Sequence, residues 1–227
     1  MILILFFSIH WQSFCPMVKL KSLTFTGPAG RLEGLLKFDE SVDPKALVVV
    51  CHPHPQFLGT MHNKVVFAVA EAFFALGCEV LRFNFRGVGL STGTYDHVRG
   101  EIEDALAAAK YLRQRHPGLP CHIAGFSFGA WIAIEAARID SSLASLTAVA
   151  LSLKNLDSSF LHELSIPKLF LQGTADEICP AKDLQALFPS FAEPKALVLF
   201  EGVRHFFNNH LAELRKAIVE HRLLLGL

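Results

Sequence analysis

The chain has 227 residues, 52% of them hydrophobic, with 21 Lys+Arg balanced by 21 Asp+Glu. That length fits one domain, and near-zero net charge without a long basic run argues against a nucleic-acid partner. The five cysteines, odd in number and without paired metal-ligand spacing, argue against a disulfide framework; they read as buried, reduced thiols of a cytoplasmic protein.

Residues 1–16 form an apolar leader without a single Lys, Arg, Asp or Glu. It lacks the basic start and small-residue cleavage site of a signal peptide. Ser8, His10, Gln12 and Ser13 interrupt it well short of the roughly 20 apolar residues of a spanning helix. The expectation is therefore no stable membrane insertion, translation starting at Met17, and a domain from 17 to 227.

From Lys19 the pattern predicts alternating elements. Two strands, Lys19 to Thr26 and Arg31 to Phe38, flank the turn Gly27-Pro28-Ala29-Gly30. Ala46 to Cys51 is a third, apolar and β-branched. Val65, Val66, Val69, Phe73 and Leu76 recur at helical spacing, closed by Gly77. Glu79 to Phe85 is the fourth strand. Ile102, Leu106, Ala109 and Leu112 mark a helix that Pro117-Gly118 ends. Cys121 to Ala124 is the fifth strand, and an alanine-rich helix follows from Ala130. Leu146 to Leu153, Leu169 to Leu171 and Leu197 to Phe200 supply three more strands, and Leu211, Leu214, Ile218 and Leu225 stripe a last helix. Strands alternating with helices imply right-handed crossovers and an α/β fold: a mostly parallel sheet of about eight strands with helices on both faces. Continuous apolar strands fit a sheet buried on both sides. Only Lys154 to Pro167 separates the sixth and seventh strands, too short for a sizeable cap domain.

Chemistry concentrates at the strand ends. Gly125-Phe126-Ser127-Phe128-Gly129 lies between a strand and a helix, the context of a nucleophile elbow. Asp176 follows the seventh strand and His205 the eighth. A serine hydroxyl is a poor nucleophile at neutral pH; an imidazole can take its proton, and a carboxylate behind the imidazole fixes the tautomer and stabilises the imidazolium. Ser127, Asp176 and His205 are the candidate catalytic residues, each at a strand's carboxyl end, where α/β sheets gather ligands. Acyl transfer also needs donors for an oxyanion. The amide of Phe128 is one. The loop His52-Pro53-His54-Pro55 offers the other, from His54 or, as second choice, Gln56, because proline has no N–H. Phe57, Leu58, Phe126, Phe128 and Phe206 are candidates for an apolar floor, with Phe57 the substrate contact chosen among them. Glu177 and Cys179 read as turn residues, and Arg86 and Ser91 as structural. Gly87-Val88-Gly89 lacks the third glycine of a dinucleotide fingerprint. His52, His54 and His62 lack the companions of a metal site. No cofactor or metal is expected, and nothing in the pattern specifies an oligomeric state.

These residues together resemble a small, uncapped member of the α/β-hydrolase superfamily, close to its dienelactone-hydrolase-like bacterial group. The resemblance rests on His52-Pro53-His54-Pro55 with Gly59-Thr60-Met61-His62-Asn63-Lys64 behind it. Arg82 to Gly89, the elbow, the turn at Asp176-Glu177 and His205-Phe206-Phe207 complete it. It implies the fold, a nucleophile at Ser127, an acid at Asp176, a base at His205 and an oxyanion loop at His52 to Pro55. One departure is visible: Leu58 stands where the group has the first of paired glycines. The expected function is a serine hydrolase of carboxylesterase type acting on a small-molecule acyl substrate. The alternatives are thioester or amide hydrolysis on the same fold, and a catalytically weak binding protein.

Overall fold

The computed structural model describes residues 17–154 and 156–224. The leader, Cys15 included, lies outside the described residues, as does Leu225. Eight strands form one sheet: β1 (Val18–Gly27), β2 (Gly30–Asp39), β3 (Ala46–Cys51), β4 (Cys78–Phe83), β5 (Cys121–Phe126), β6 (Leu143–Val149), β7 (Lys168–Gly173) and β8 (Lys195–Phe200). Their order is β1-β2-β4-β3-β5-β6-β7-β8. The β1–β2 hairpin is antiparallel and β2 meets β4 antiparallel; from β4 to β8 every pairing is parallel. The expected mostly parallel sheet is observed.

The helices α1 (Lys64–Ala75), α2 (Arg99–Arg115), α3 (Phe128–Ile139), α4 (Ala181–Leu187) and α5 (Leu211–Leu224) cover the sheet. Each parallel strand feeds two cores because successive side chains point to opposite faces. On β3, Leu47, Val49 and Cys51 pack with α2 and α3, while Ala46, Val48 and Val50 pack with α1 and α5. Gly77 closes α1 at φ 86, as its place in the sequence required. Between β6 and β7 the described chain forms only one short 3-10 turn, Ser159–His162, so no cap covers the carboxyl edge. No helix among the described residues is long and apolar enough to cross a membrane.

Two strands end earlier than the sequence expectation. β6 spans Leu143–Val149 rather than Leu146 to Leu153. Ala150 turns to φ 51 and leaves the ladder, and Leu151 stays apolar because it packs into the core beyond the strand. β4 ends at Phe83, two residues before Phe85. The amides of Phe85 and Arg86 leave the sheet to donate to His52 Nε2 at 3.1 Å and Asp104 Oδ2 at 2.9 Å. Helix α4 had no clear periodic signal.

Candidate active site

β5 passes into α3 through Ser127 alone. Its φ of 56° and ψ of −117° lie where a non-glycine residue carries strain of about 1–3 kcal/mol. The surroundings hold it there. Ser127 N–H donates to the Val149 carbonyl at 2.8 Å, and its own carbonyl accepts from Ala130 and Trp131 N–H. The two glycines are demanded by space. A Cβ on Gly125 would lie 2.0 Å from the Gly129 carbonyl oxygen, and one on Gly129 would lie 2.3 Å from that of Cys51.

Asp176 and His205, which leave neighbouring strands, meet this serine. His205 Nδ1 lies 2.8 Å from Asp176 Oδ2, and His205 Nε2 lies 3.1 Å from Ser127 Oγ. Asp176 cannot donate when ionised, so the ring proton sits on Nδ1 and the bare Nε2 accepts from the Ser127 hydroxyl. Asp176 and His205 are both buried, while Ser127 is partly exposed. The three predicted residues therefore form one hydrogen-bonded chain that opens to solvent at its nucleophilic end.

The loop after β3 is rigid for identifiable reasons. His52 is fully buried; its Nδ1–H donates to the Pro53 carbonyl at 2.6 Å and its Nε2 accepts from Phe85 N–H. Burial pushes its pKa down to about 3, so it is neutral and acts as a pin. Further along, Met61 N–H donates to Asn84 Oδ1 at 2.8 Å, and Arg82 Nη1 donates to the Met61 carbonyl at 2.9 Å. The two stretches that carried the family resemblance thus bind one another. A Cβ on Gly59 would lie 2.0 Å from the Pro53 carbonyl oxygen, so the turn closes only on glycine. The Gln56 amide donates to His54 Nδ1 at 3.2 Å and is not free for an oxyanion. With Nδ1 accepting, His54 Nε2–H faces Tyr95 Oη at 3.3 Å.

The expected apolar floor is only partly present. Phe128 packs against the His54 ring at 4.6 Å and the Trp131 ring at 6.2 Å. Phe126 is fully buried as the last residue of β5, its ring tilted against that of His205 at 5.1 Å, and belongs to the core. Phe57, Leu58 and Phe206 are exposed and form rim rather than floor.

Of two neighbours of the acid, Gln172 carries no recognised signal in the sequence and Cys179 reads there as a turn residue placed to tune the acid. Gln172, fully buried on β7, donates from Nε2 to Asp176 Oδ2 at 3.1 Å and to the Cys179 carbonyl at 2.6 Å. Its Oε1 has no partner among the described residues, a cost tolerated beside that carboxylate. Asp176 Oδ1 accepts from the amides of Ile178 and Cys179 at 2.9 and 2.8 Å, the arrangement of an Asx turn. The Cys179 thiol lies against the hydroxyls of Ser127 and Ser152, and burial beside the Asp176 charge pushes it up to about 12. Asp176, Cys179 and His205 bring three metal-capable atoms within 4.8 Å of one another. The thiol is protonated at neutral pH and the other two groups are bonded to each other, so the cluster is built as a hydrogen-bond network around the serine.

Comparison with known proteins agrees with this fold. The family model described as serine aminopeptidase, S33 matches residues 42–153, the segment that holds the β3 loop and the elbow. An uncharacterised protein of Rickettsia prowazekii is 35% identical over 212 residues, covering 89% of this chain and 88% of its own. A solved α/β serine hydrolase homologue from Coxiella burnetii superposes with a TM-score of 0.84 at 35% identity, over 88% of this chain and 96% of that one. A Xanthomonas campestris structure described as an α/β serine hydrolase without lid gives 0.83 at 34% identity, over 92% and 96%.

Proposed function

The chain belongs to the α/β-hydrolase superfamily and is a hydrolase of its lidless kind; we propose that it cleaves a small carboxylic ester through an acyl-enzyme on Ser127. The observation that carries this reading is the continuous chain Ser127 Oγ–His205 Nε2 and His205 Nδ1–Asp176 Oδ2, at 3.1 and 2.8 Å, on a strained elbow. In the first half-reaction Ser127 Oγ bonds to the carbonyl carbon while its proton moves to His205 Nε2. The oxyanion forms facing the amides of Phe128 and His54, donors whose individual loss costs about 100- to 1,000-fold in turnover. Collapse expels the alcohol, which takes the proton back from His205. Water then repeats the sequence on the acyl-enzyme and releases the acid. Asp176 stays ionised throughout and stabilises the imidazolium.

Ester is preferred over amide for two reasons. The edge is uncovered, which suits a good leaving group more than one needing strong water exclusion. An aminopeptidase also needs a free carboxylate for the substrate amine, and Glu177, next to Asp176, is paired with Arg204 at 2.6 Å. Labelling with a fluorophosphonate probe, together with a p-nitrophenyl acetate burst, tests the proposal. Wild type should label and burst with one equivalent, and Ser127→Ala should do neither. An unlabelled wild type, or equal labelling of the variant, overturns it.

A further inference from the structure

The two amides that would meet the oxyanion belong to residues whose side chains also touch each other. The His54 ring lies 4.6 Å from that of Phe128. A third ring joins them from another loop. Tyr95, which follows β4, lies 5.1 Å from the His54 ring and 6.1 Å from that of Phe128. No step of the reaction uses it directly.

Tyr95 holds His54 at the nitrogen that its own loop leaves over. His54 Nδ1 accepts from the Gln56 amide at 3.2 Å, so the ring proton sits on Nε2 and faces Tyr95 Oη at 3.3 Å. The imidazole is therefore fixed from both ends, once within the β3 loop and once across 41 residues of sequence.

The backbone that carries Tyr95 is strained, and the strain is enforced. His97 and Val98 sit at φ 48 and φ 85, a region in which a β-branched residue is a genuine outlier. Such geometry persists only where the surroundings over-determine it, and it gathers at functional sites. Glu101, fully buried, accepts from the Asp96 amide at 2.9 Å and from the Val98 amide at 2.8 Å. The next turn of chain is pressed onto Arg86: a Cβ on Gly100 would lie 2.1 Å from Arg86 Nη1. The loop enters α2 by this strained route, and the side chain it delivers to the elbow is Tyr95.

We propose that Tyr95 is a positioning residue of the oxyanion hole. Through His54 Nε2 and the Phe128 ring it keeps the amides of His54 and Phe128 aimed at one point. The catalytic half of this inference rests on the esterase reading; the fixing of the His54 loop by Tyr95 does not.

The test begins with Tyr95→Phe, which keeps the ring and removes the hydroxyl. Its thermal melt should match wild type. Its kcat on p-nitrophenyl acetate should fall about tenfold, the worth of one hydrogen bond and well short of the roughly 100-fold that follows loss of an oxyanion donor itself. KM should hardly move, because the hole acts on the transition state. His54→Ala removes the ring and leaves the amide; adding Tyr95→Phe to it should cost nothing further, since both act through one bond. Amide hydrogen exchange over residues 52–60 should quicken in Tyr95→Phe while that of β5 stays the same. Full kcat in Tyr95→Phe, a loss confined to KM, losses that multiply in the double variant, or unchanged exchange over 52–60 would each overturn the proposal. A wild type that fluorophosphonate does not label removes the esterase reading instead. Quickened exchange in the variant would then retain Tyr95 as the holder of the His54 loop, and unchanged exchange would remove that as well.

Discussion

Ser127 sits between two buried carboxylates that are treated in opposite ways. On the β4 side, Asp104 receives Arg86 Nε at 3.0 Å, Arg86 Nη2 at 2.8 Å and the Arg86 amide at 2.9 Å. Its charge is cancelled permanently by a rigid fork, and the neutral His52 pins the same loops. On the β7 side, Asp176 is held by uncharged donors, two amides and the Gln172 side chain, and by one imidazole that can gain a proton. The first arrangement spends its electrostatics on holding a shape. The second keeps an unneutralised charge in reserve for a cation that exists only during the reaction. Substitutions on the two sides should accordingly separate into losses of stability and losses of rate.

The largest effect is expected from Asp176→Asn. An amide there would favour the wrong His205 tautomer and stabilise no imidazolium, lowering kcat by about 10,000-fold. Thermal unfolding followed by circular dichroism should show little change beside that loss. A variant that keeps most of its turnover would erase the distinction between the two carboxylates.

Next comes Arg86→Met, which leaves Asp104 buried and uncompensated. Removing one partner of such a pair costs about 3–5 kcal/mol, read by urea unfolding. The kcat of the folded fraction should stay close to wild type, because Arg86 touches the loop and not the reacting atoms. A large kcat loss with unaltered stability would reverse the roles assigned to the two sides.

Acid separates the sides in another way. Burial pushes His52 down to about 3 and His122, bonded to Ser145 at 2.6 Å, down to about 4. In the unfolded chain both return to about 6.5. Below that value the unfolded state binds protons that the folded state refuses, so stability is complete at higher pH and is lost as pH falls. The slope is about 1.4 kcal/mol per pH unit for each histidine, in the window from about 6.5 down to about 4. Urea unfolding between pH 7 and pH 5 measures it, and His52→Gln should remove its share. A pH-independent midpoint would contradict the neutral pin at His52.

The sheet and the reacting trio were legible in the sequence because their signals are local. A strand buried on both faces is an unbroken apolar run, and Ser127, Asp176 and His205 each follow one. The failures share a cause too: each turns on local conformation that residue types alone do not reveal. Leu151 is apolar like a strand residue, but the left-handed Ala150 ends the ladder before it. Phe126 and Phe206 look alike as residues flanking catalytic positions. Strand alternation puts the first in the core, whereas the second lies in the loop after β8 and stays at the rim. The Gln56 amide is consumed by a side chain, His54, whose rotamer no spacing rule reveals. Gln172 resembles any polar residue near a strand end until the loop bearing Cys179 folds back over it.

Gln172 gives the smallest and most diagnostic test. Its Nε2 donates to the same Asp176 oxygen that faces His205, while its Oε1 is buried without a partner among the described residues. Gln172→Leu removes both the donor and the orphan acceptor at similar volume but leaves the Cys179 carbonyl without that donor, so stability should fall by about 1–3 kcal/mol. The carboxylate then keeps its charge more localised toward the imidazole. It also loses one of the contacts that aim it, and turnover should fall about tenfold, the worth of a single hydrogen bond to a charged group. Because the localised charge favours the imidazolium, the acid limb of the kcat/KM profile should move to higher pH. A merely structural glutamine would also lower stability but would leave that limb where it was. The limb's direction, more than the size of the rate loss, decides whether Gln172 serves the Asp176 charge or only fills the end of β7.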